Sequence, residues 1–217
     1  MLKTENFQTY GWESAIRGMR NPMNSWQKSD SGWEPQFDTA KGPVAGVFVI
    51  GPNDLDLMKR LRKGGPDDRK YLRQIFVSVD ITAPLYWWKE MDQYKIGTVT
   101  NSCSTMHKIA SKAFELDDFS CEHLASDGVG LLIKIIQYLN WNRDLFNQDK
   151  RKNDWWQMIQ LLPSSYNQKR TWTANYEVLC NIYNARKNHK LDEWHTFCDA
   201  IANLPYAKEL IIGDNEI

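Results

Sequence analysis

An α+β fold, with a small central sheet packed by long helices, is what this sequence predicts. Three observations carry that reading. The runs VAGVFVI (44–50) and IFVSVDI (75–81) are short, apolar and β-branched, and Gly51-Pro52-Asn53 stops the first. Val129, Leu132, Ile135, Ile136 and Leu139 recur at helical spacing within one long segment. The last third of the chain, 162–205, runs from Leu162-Pro163 to Leu204-Pro205 and reads as two successive helices.

Taken in order, residues 1–45 are polar and loop-rich, with one helix over 12–19. The stretch SDSGWEPQFDTAKGP is punctuated by Gly and Pro and predicts an exposed loop. After the first strand, Asn53 or Asp54 is placed to cap a helix lined by Leu55, Met58 and Leu61. Its last turn is basic, which suits the negative end of the helix dipole, and Gly64-Gly65-Pro66 ends it. Residues 67–75 predict a helix or a bent lead-in to the strand 75–81. Pro84 suits the first turn of a helix that runs to Tyr94. A β-branched segment, 96–100, precedes NSCSTMHK, which opens another helix. Ser126-Asp127 begins the longest helix, to Phe146, and Asn153 or Asp154 a short one ending at Leu162-Pro163. Helices over 171–187 and 191–203 complete the chain.

The length, 217 residues, suits a single domain, and 42 % apolar residues suffice for its core. Lysine and arginine total 27, as do aspartate and glutamate, so no net field draws the chain to nucleic acid or an anionic membrane. Any anionic ligand needs a local cluster. No apolar run is long enough to span a bilayer, and the N-terminus lacks a signal-peptide core, so the expectation is a cytoplasmic protein. Cys103, Cys121, Cys180 and Cys198 show no metal spacing and predict reduced, mostly buried thiols without a metal. Adjacent Cys121, Glu122 and His123 point in different directions on a helix, which argues against a dyad. Ten tryptophans predict aromatic core anchors, with some available to stack on a flat ring.

The segment YKIGTVTNSCSTMH (94–107), behind a strand and a helix, resembles the R-H-R-x-x-S-x-N-E-x-S-x-R-Y motif of the flavin-dependent thymidylate synthases. With Asn101 on the family's Asn, Ser104 falls on its second Ser, and Tyr94, Lys95 and Ile96 on R-H-R. Ser102 replaces Glu, Met106 the last Arg and His107 the Tyr. A shift of one residue instead sets Gln93-Tyr94-Lys95 on R-H-R and Thr98 on the first Ser. In the C-terminal part Asn175, Asn181 and Arg186 match positions of that family, while Glu177 and Ile159 stand where it carries arginine. The resemblance covers 51–205 and leaves 1–50 as a divergent N-terminal segment.

The resemblance implies an FAD-binding enzyme of pyrimidine nucleotide metabolism that transfers a methyl group to a uracil nucleotide, with a folate as carbon donor and NADPH as reductant. It implies a homotetramer. Tyr94, Lys95, Asn101, Asn175 and Asn181 would contact the flavin, and Ser102, Ser104, His107 and Arg186 the nucleotide. No catalytic base is identified. Loss of the arginines at Met106 and Ile159 removes charge-assisted bonds of about 1.5–3 kcal/mol each, and a nearby lysine supplies a point charge rather than a fork. A non-catalytic binding or assembly protein on the same scaffold is the alternative.

Overall fold

The computed structural model describes residues 2–38 and 42–213. In chain order the elements are β1 (Lys3–Tyr10), α1 (Trp12–Arg20), β2 (Gly32–Asp38), β3 (Gly42–Val49), α2 (Pro52–Lys63), β4 (Phe76–Pro84) and α3 (Leu85–Met91). There follow β5 (Val99–Ser102), α4 (Thr105–Lys108), α5 (Ser126–Asp149), α6 (Lys152–Leu161), β6 (Asn167–Asn175), α7 (Tyr176–Arg186) and α8 (Asp192–Ala202). Four strands form one sheet in the order β1-β4-β6-β5, and β2 and β3 form a separate antiparallel hairpin. Side-chain hydrogen bonds from Thr171 to Asp80 and from Thr173 to Ser78 run with opposite numbering along β6 and β4, as an antiparallel pair requires. The expected α+β class, a small sheet with many helices, is what the chain forms.

The contacts of the chain gather into two compact units. The first comprises Met1–Asn6, Val79–Trp172 and Leu191–Phe197. Its centre is aromatic. Trp87, fully buried, meets Trp88 edge-on at 4.9 Å between ring centroids, lies tilted on Trp194 at 4.8 Å and meets Phe197 edge-on at 5.6 Å. Two of these three buried indoles have partners for their N–H groups. Trp88 Nε1 donates to the Gln168 carbonyl at 2.9 Å and Trp194 Nε1 to Glu90 Oε2 at 2.9 Å. A second cluster joins α5 to α6: Leu132, Ile136 and Leu139, spaced by four and three, pack with Met158, Phe114 and Phe119. Lys150, in the left-handed region at φ 56°, ends α5.

The second unit comprises Phe7–Ser78, Thr173–Lys190 and Cys198–Ile217. It is organised around Asp54, which the sequence suggested as a helix cap. The cap is instead Asp30, whose carboxylate accepts from the backbone N–H of Asn53 (2.9 Å) and Asp54 (3.0 Å). Asp54 turns inward, fully buried. It pairs with Arg20 at 2.6 Å and accepts from the hydroxyls of Ser29 and Ser31 and the backbone N–H of Asp30 and Ser31. Arg20 in turn donates to the Ser25 carbonyl. A carboxylate survives without water when its lone pairs are filled in this way.

Three expectations need correction. Residues 1–45 are not loop-rich. The segment 3–10 is a strand whose side chains are mostly exposed or half-buried, so its apolar alternation is faint. The predicted loop at 29–43 carries β2 and the start of β3, with Pro35 beside the register shift between Glu34 and Gln36; residues 39–41 lie outside the described residues. The helix expected over 171–187 starts only at Tyr176, because Trp172 and Ala174 are buried while Thr171 is exposed and Thr173 half-buried, the period of a strand. Among the thiols, Cys180 and Cys198 are buried, Cys121 is half-buried and Cys103 is exposed.

Gly11 opens α1 at φ 86°, and a Cβ there would lie 2.0 Å from the Gln74 carbonyl oxygen. Strain and collision act together, so Gly11→Ala is expected to lower stability by at least about 2 kcal/mol. A urea midpoint unchanged from the parent chain would contradict this.

Candidate functional site

The residues singled out at 94–107 occupy the first unit, where β6 anchors them. The Cys103 N–H donates to the Lys169 carbonyl at 2.9 Å. The Gln168 side-chain amide donates to the Cys103 carbonyl at 2.9 Å and to Thr105 Oγ1 at 3.1 Å. The chain leaving β5 is thereby pinned before α4 begins. Ser104 caps α4: its Oγ accepts from the His107 N–H at 3.2 Å and lies 2.7 Å from His107 Nδ1.

Beside this turn lies a cavity of 240 Å³ lined by Ser104, Thr105, Lys108, Lys112, Tyr166 and Lys169, among others. Its chemistry is cationic and hydroxyl-rich. Lys112 is held by Asp118 at 2.6 Å, which raises its pKa. Lys169 sits between Asp80 (3.3 Å) and Glu5 (3.4 Å), whose hydrogen bonds raise its pKa as well. Among the described residues no carboxylate pairs with Lys108. Burial pushes up the pKa of the Tyr166 phenol, which therefore stays protonated as a donor.

Tyr94 and Lys95 line a different cavity, of 210 Å³, with Met91, Asp92, Thr98, Thr100 and Trp172. Thr98 Oγ1 donates to the Tyr94 carbonyl at 2.5 Å, and the Tyr94 ring meets Trp194 edge-on at 6.2 Å. Arg170 donates to Asp92 at 2.8 Å and lies over the Trp88 ring at 4.2 Å, a cation–π contact. The motif residues are thus divided between two cavities. Asn101 and Ser102 stand on β5 with exposed side chains.

The remaining predicted residues lie in the second unit, on or next to α7. Asn175 caps that helix, accepting from the Val178 N–H at 3.0 Å, and is 7 % exposed, so its side-chain oxygen is already engaged. Asn181 is exposed on α7, and Arg186 is half-buried in the last turn. Glu177, at a position of arginine in the resemblance, is buried. Its Oε1 accepts from Arg69 Nη2 at 3.0 Å, while Oε2 has no partner among the described residues. Lys112, Tyr166, Lys169, Arg170 and Trp172 were not singled out from sequence. Lys169 and Arg170 fall between the Leu162-Pro163 stop and the helix expected from 171, and Trp172 falls inside that expected helix, so the strand β6 that carries all three was the missing signal. Among the described residues no group of three or more His, Cys, Asp or Glu is placed to hold a metal ion.

No family model matches the sequence, and no curated protein matches it. Solved structures do. The chain resembles the flavin-dependent thymidylate synthase of Helicobacter pylori complexed with FAD and dUMP, with a TM-score of 0.64, 17 % identity, and 97 % of each chain covered. A second structure of that enzyme with FAD and dUMP gives a TM-score of 0.65 at 17 % identity, over 97 % of this chain and 96 % of the other. The fold is that of a flavin-dependent thymidylate synthase. The 97 % of this chain that is covered is a longer span than the stretch 51–205 matched by motif. In this chain lysines and hydroxyls gather around Ser104. No helix among the described residues is long and apolar enough to cross a membrane.

Proposed function

We propose that the chain binds FAD and acts on a uracil nucleotide as a thymidylate synthase-like methyltransferase. The supporting observation is the cationic cavity at Ser104, within a fold that covers nearly the whole of an enzyme solved with FAD and dUMP. Lys108 and Lys169, with the hydroxyls of Ser104, Thr105 and Tyr166, suit a phosphate monoester: they supply donors and positive charge together. His107, bonded to Ser104, orients that hydroxyl. Tyr94, Lys95 and Trp172 offer an aromatic and hydroxyl-lined recess suited to part of a flavin. When bound, FAD supplies hydride chemistry; the residues here hold, orient and partly desolvate the ligands.

The cavities of 240 and 210 Å³ are smaller than the roughly 300–1,000 Å³ that enclose a small-molecule ligand, so neither encloses a dinucleotide. Completion by neighbouring copies in a homotetramer meets that need, with Asn101, Ser102, Asn181 and Arg186 as exposed or half-buried groups for the shared site and Asn175 supporting α7. A folate and NADPH are the carbon donor and reductant in this reading.

Protein purified without added cofactor, or soaked in FAD, is expected to be yellow, and dUMP is expected to perturb the flavin spectrum. Lys108→Ala should weaken the dUMP response by roughly 10- to 100-fold, the equivalent of one charge-assisted bond, and leave the colour unchanged. Protein that stays colourless after soaking would favour the second reading, a non-catalytic binding protein. The ion pair of Glu177 with Arg69 favours that second reading, because it places a buried carboxylate where an arginine would read an anion.

A further inference from the structure

The largest cavity described here takes no part in the reading above. It measures 620 Å³ and lies within the second unit, between the end of α1, one face of α2 and the segment 67–74. Its floor is apolar. Met19 and Tyr71 are buried, Leu57 and Leu61 half-buried, and Tyr71 is fixed by donating its hydroxyl to the Met58 carbonyl at 2.8 Å. At the rim Met23 stands 81 % exposed on a short 3-10 turn that Asn24 closes in the left-handed conformation, at φ 48°. An adaptable thioether held in water at the mouth of an apolar recess suits contact with a ligand. The volume is that of a pocket for a drug-sized molecule.

The rim decides which molecule. Asp67 and Asp68 face the recess against a single lysine, Lys70, and the other polar lining groups, Asn21, Ser25 and Gln74, are neutral. That balance repels phosphates and carboxylates, so this pocket is unsuited to FAD or a nucleotide. It attracts a molecule with one positive charge and an apolar body. We propose that this groove is a second ligand site, separate from the nucleotide cavity, that takes an amphipathic organic amine, its ring or chain on Met19, Leu57, Leu61 and Tyr71 and its ammonium at Asp67 and Asp68.

The test compares phenethylamine with two probes of similar size and opposite charge, phenylacetate and, in parallel, 3-phenylpropionate, on the full chain with methionine methyls labelled for NMR. Phenethylamine is expected to shift the Met19 and Met23 methyl signals and to bind about tenfold more tightly than either anion, as two exposed carboxylates warrant. The double variant Asp67→Asn, Asp68→Asn should remove that preference and keep the parent spectrum elsewhere. Lys70→Gln should strengthen it. Methyl signals that no probe moves, equal binding of the amine and the anions, or Met23 signals that respond only to protein concentration would overturn the proposal; the last result would assign the groove to a contact between copies. The nucleotide reading stands or falls separately, since these signals come from a groove with no proposed flavin or nucleotide contact.

Discussion

Replacing Trp87 with alanine is expected to destabilise the protein by about 3–5 kcal/mol, the cost of deleting a large buried aromatic side chain. That is a large share of the roughly 5–15 kcal/mol that holds a domain folded. The residue has no exposed surface, and three aromatic rings within 5.6 Å of its own would face the void. Relaxation is restricted because two neighbours are tied elsewhere, Trp88 to Gln168 and Trp194 to Glu90. Trp87 Nε1 has no partner among the described residues, so its removal orphans no hydrogen bond and the loss is one of packing alone. Trp87→Phe, which keeps much of the volume, should therefore recover more than half of the loss. Urea unfolding at fixed protein concentration measures both variants; a loss under 1 kcal/mol for alanine would mean that the aromatic cluster is not the keystone of its unit.

The second large effect is at Asp54. Asp54→Asn leaves Arg20 charged, buried and without its counter-ion, and a broken buried pair of this kind costs about 3–5 kcal/mol. The pH dependence identifies the cause. Burial pushes the Asp54 carboxyl up, but the hydrogen bonds of Ser31, Ser29 and Arg20 outweigh it and hold the group below its ordinary value of 3.8. A folded value below the unfolded one means that the ionised carboxylate contributes stability above pH 3.8 and loses it as the pH falls through the folded value. The stability difference between parent and variant should therefore be constant near neutrality and shrink below pH 3.8. A gap that persists unchanged into that acid range would show that Asp54 acts through shape and not through charge.

The fold was legible where side chains declare one face. Along 76–81 in β4 the buried Val77, Val79 and Ile81 alternate with exposed or half-buried residues, and Leu132, Ile136 and Leu139 mark the inner stripe of α5. It was illegible where pairing depends on distant partners. Lys3–Tyr10 becomes a strand because β4 lies beside it, and its own sequence, KTENFQTY, is too polar to say so. The Asp30 cap sits more than twenty residues before the helix that it serves, out of reach of any local pattern. The candidate site divides in the same way. Ser104 and His107 were found because they fall within one continuous motif, whereas Trp172 reaches its cavity on a strand that had read as helix and Lys169 stands just ahead of that expected helix.

The unequal setting of the four thiols has a practical consequence. Burial raises Cys180 and Cys198 to about 11, so at neutral pH both remain protonated and shielded from electrophiles. Cys103, exposed at the wall of the lysine-lined cavity, is the most accessible of the four, ahead of the half-buried Cys121. The molecule carries its own attachment point for an environment-sensitive dye, one turn from where a phosphate would settle, and occupancy can be followed by fluorescence without engineering a single residue.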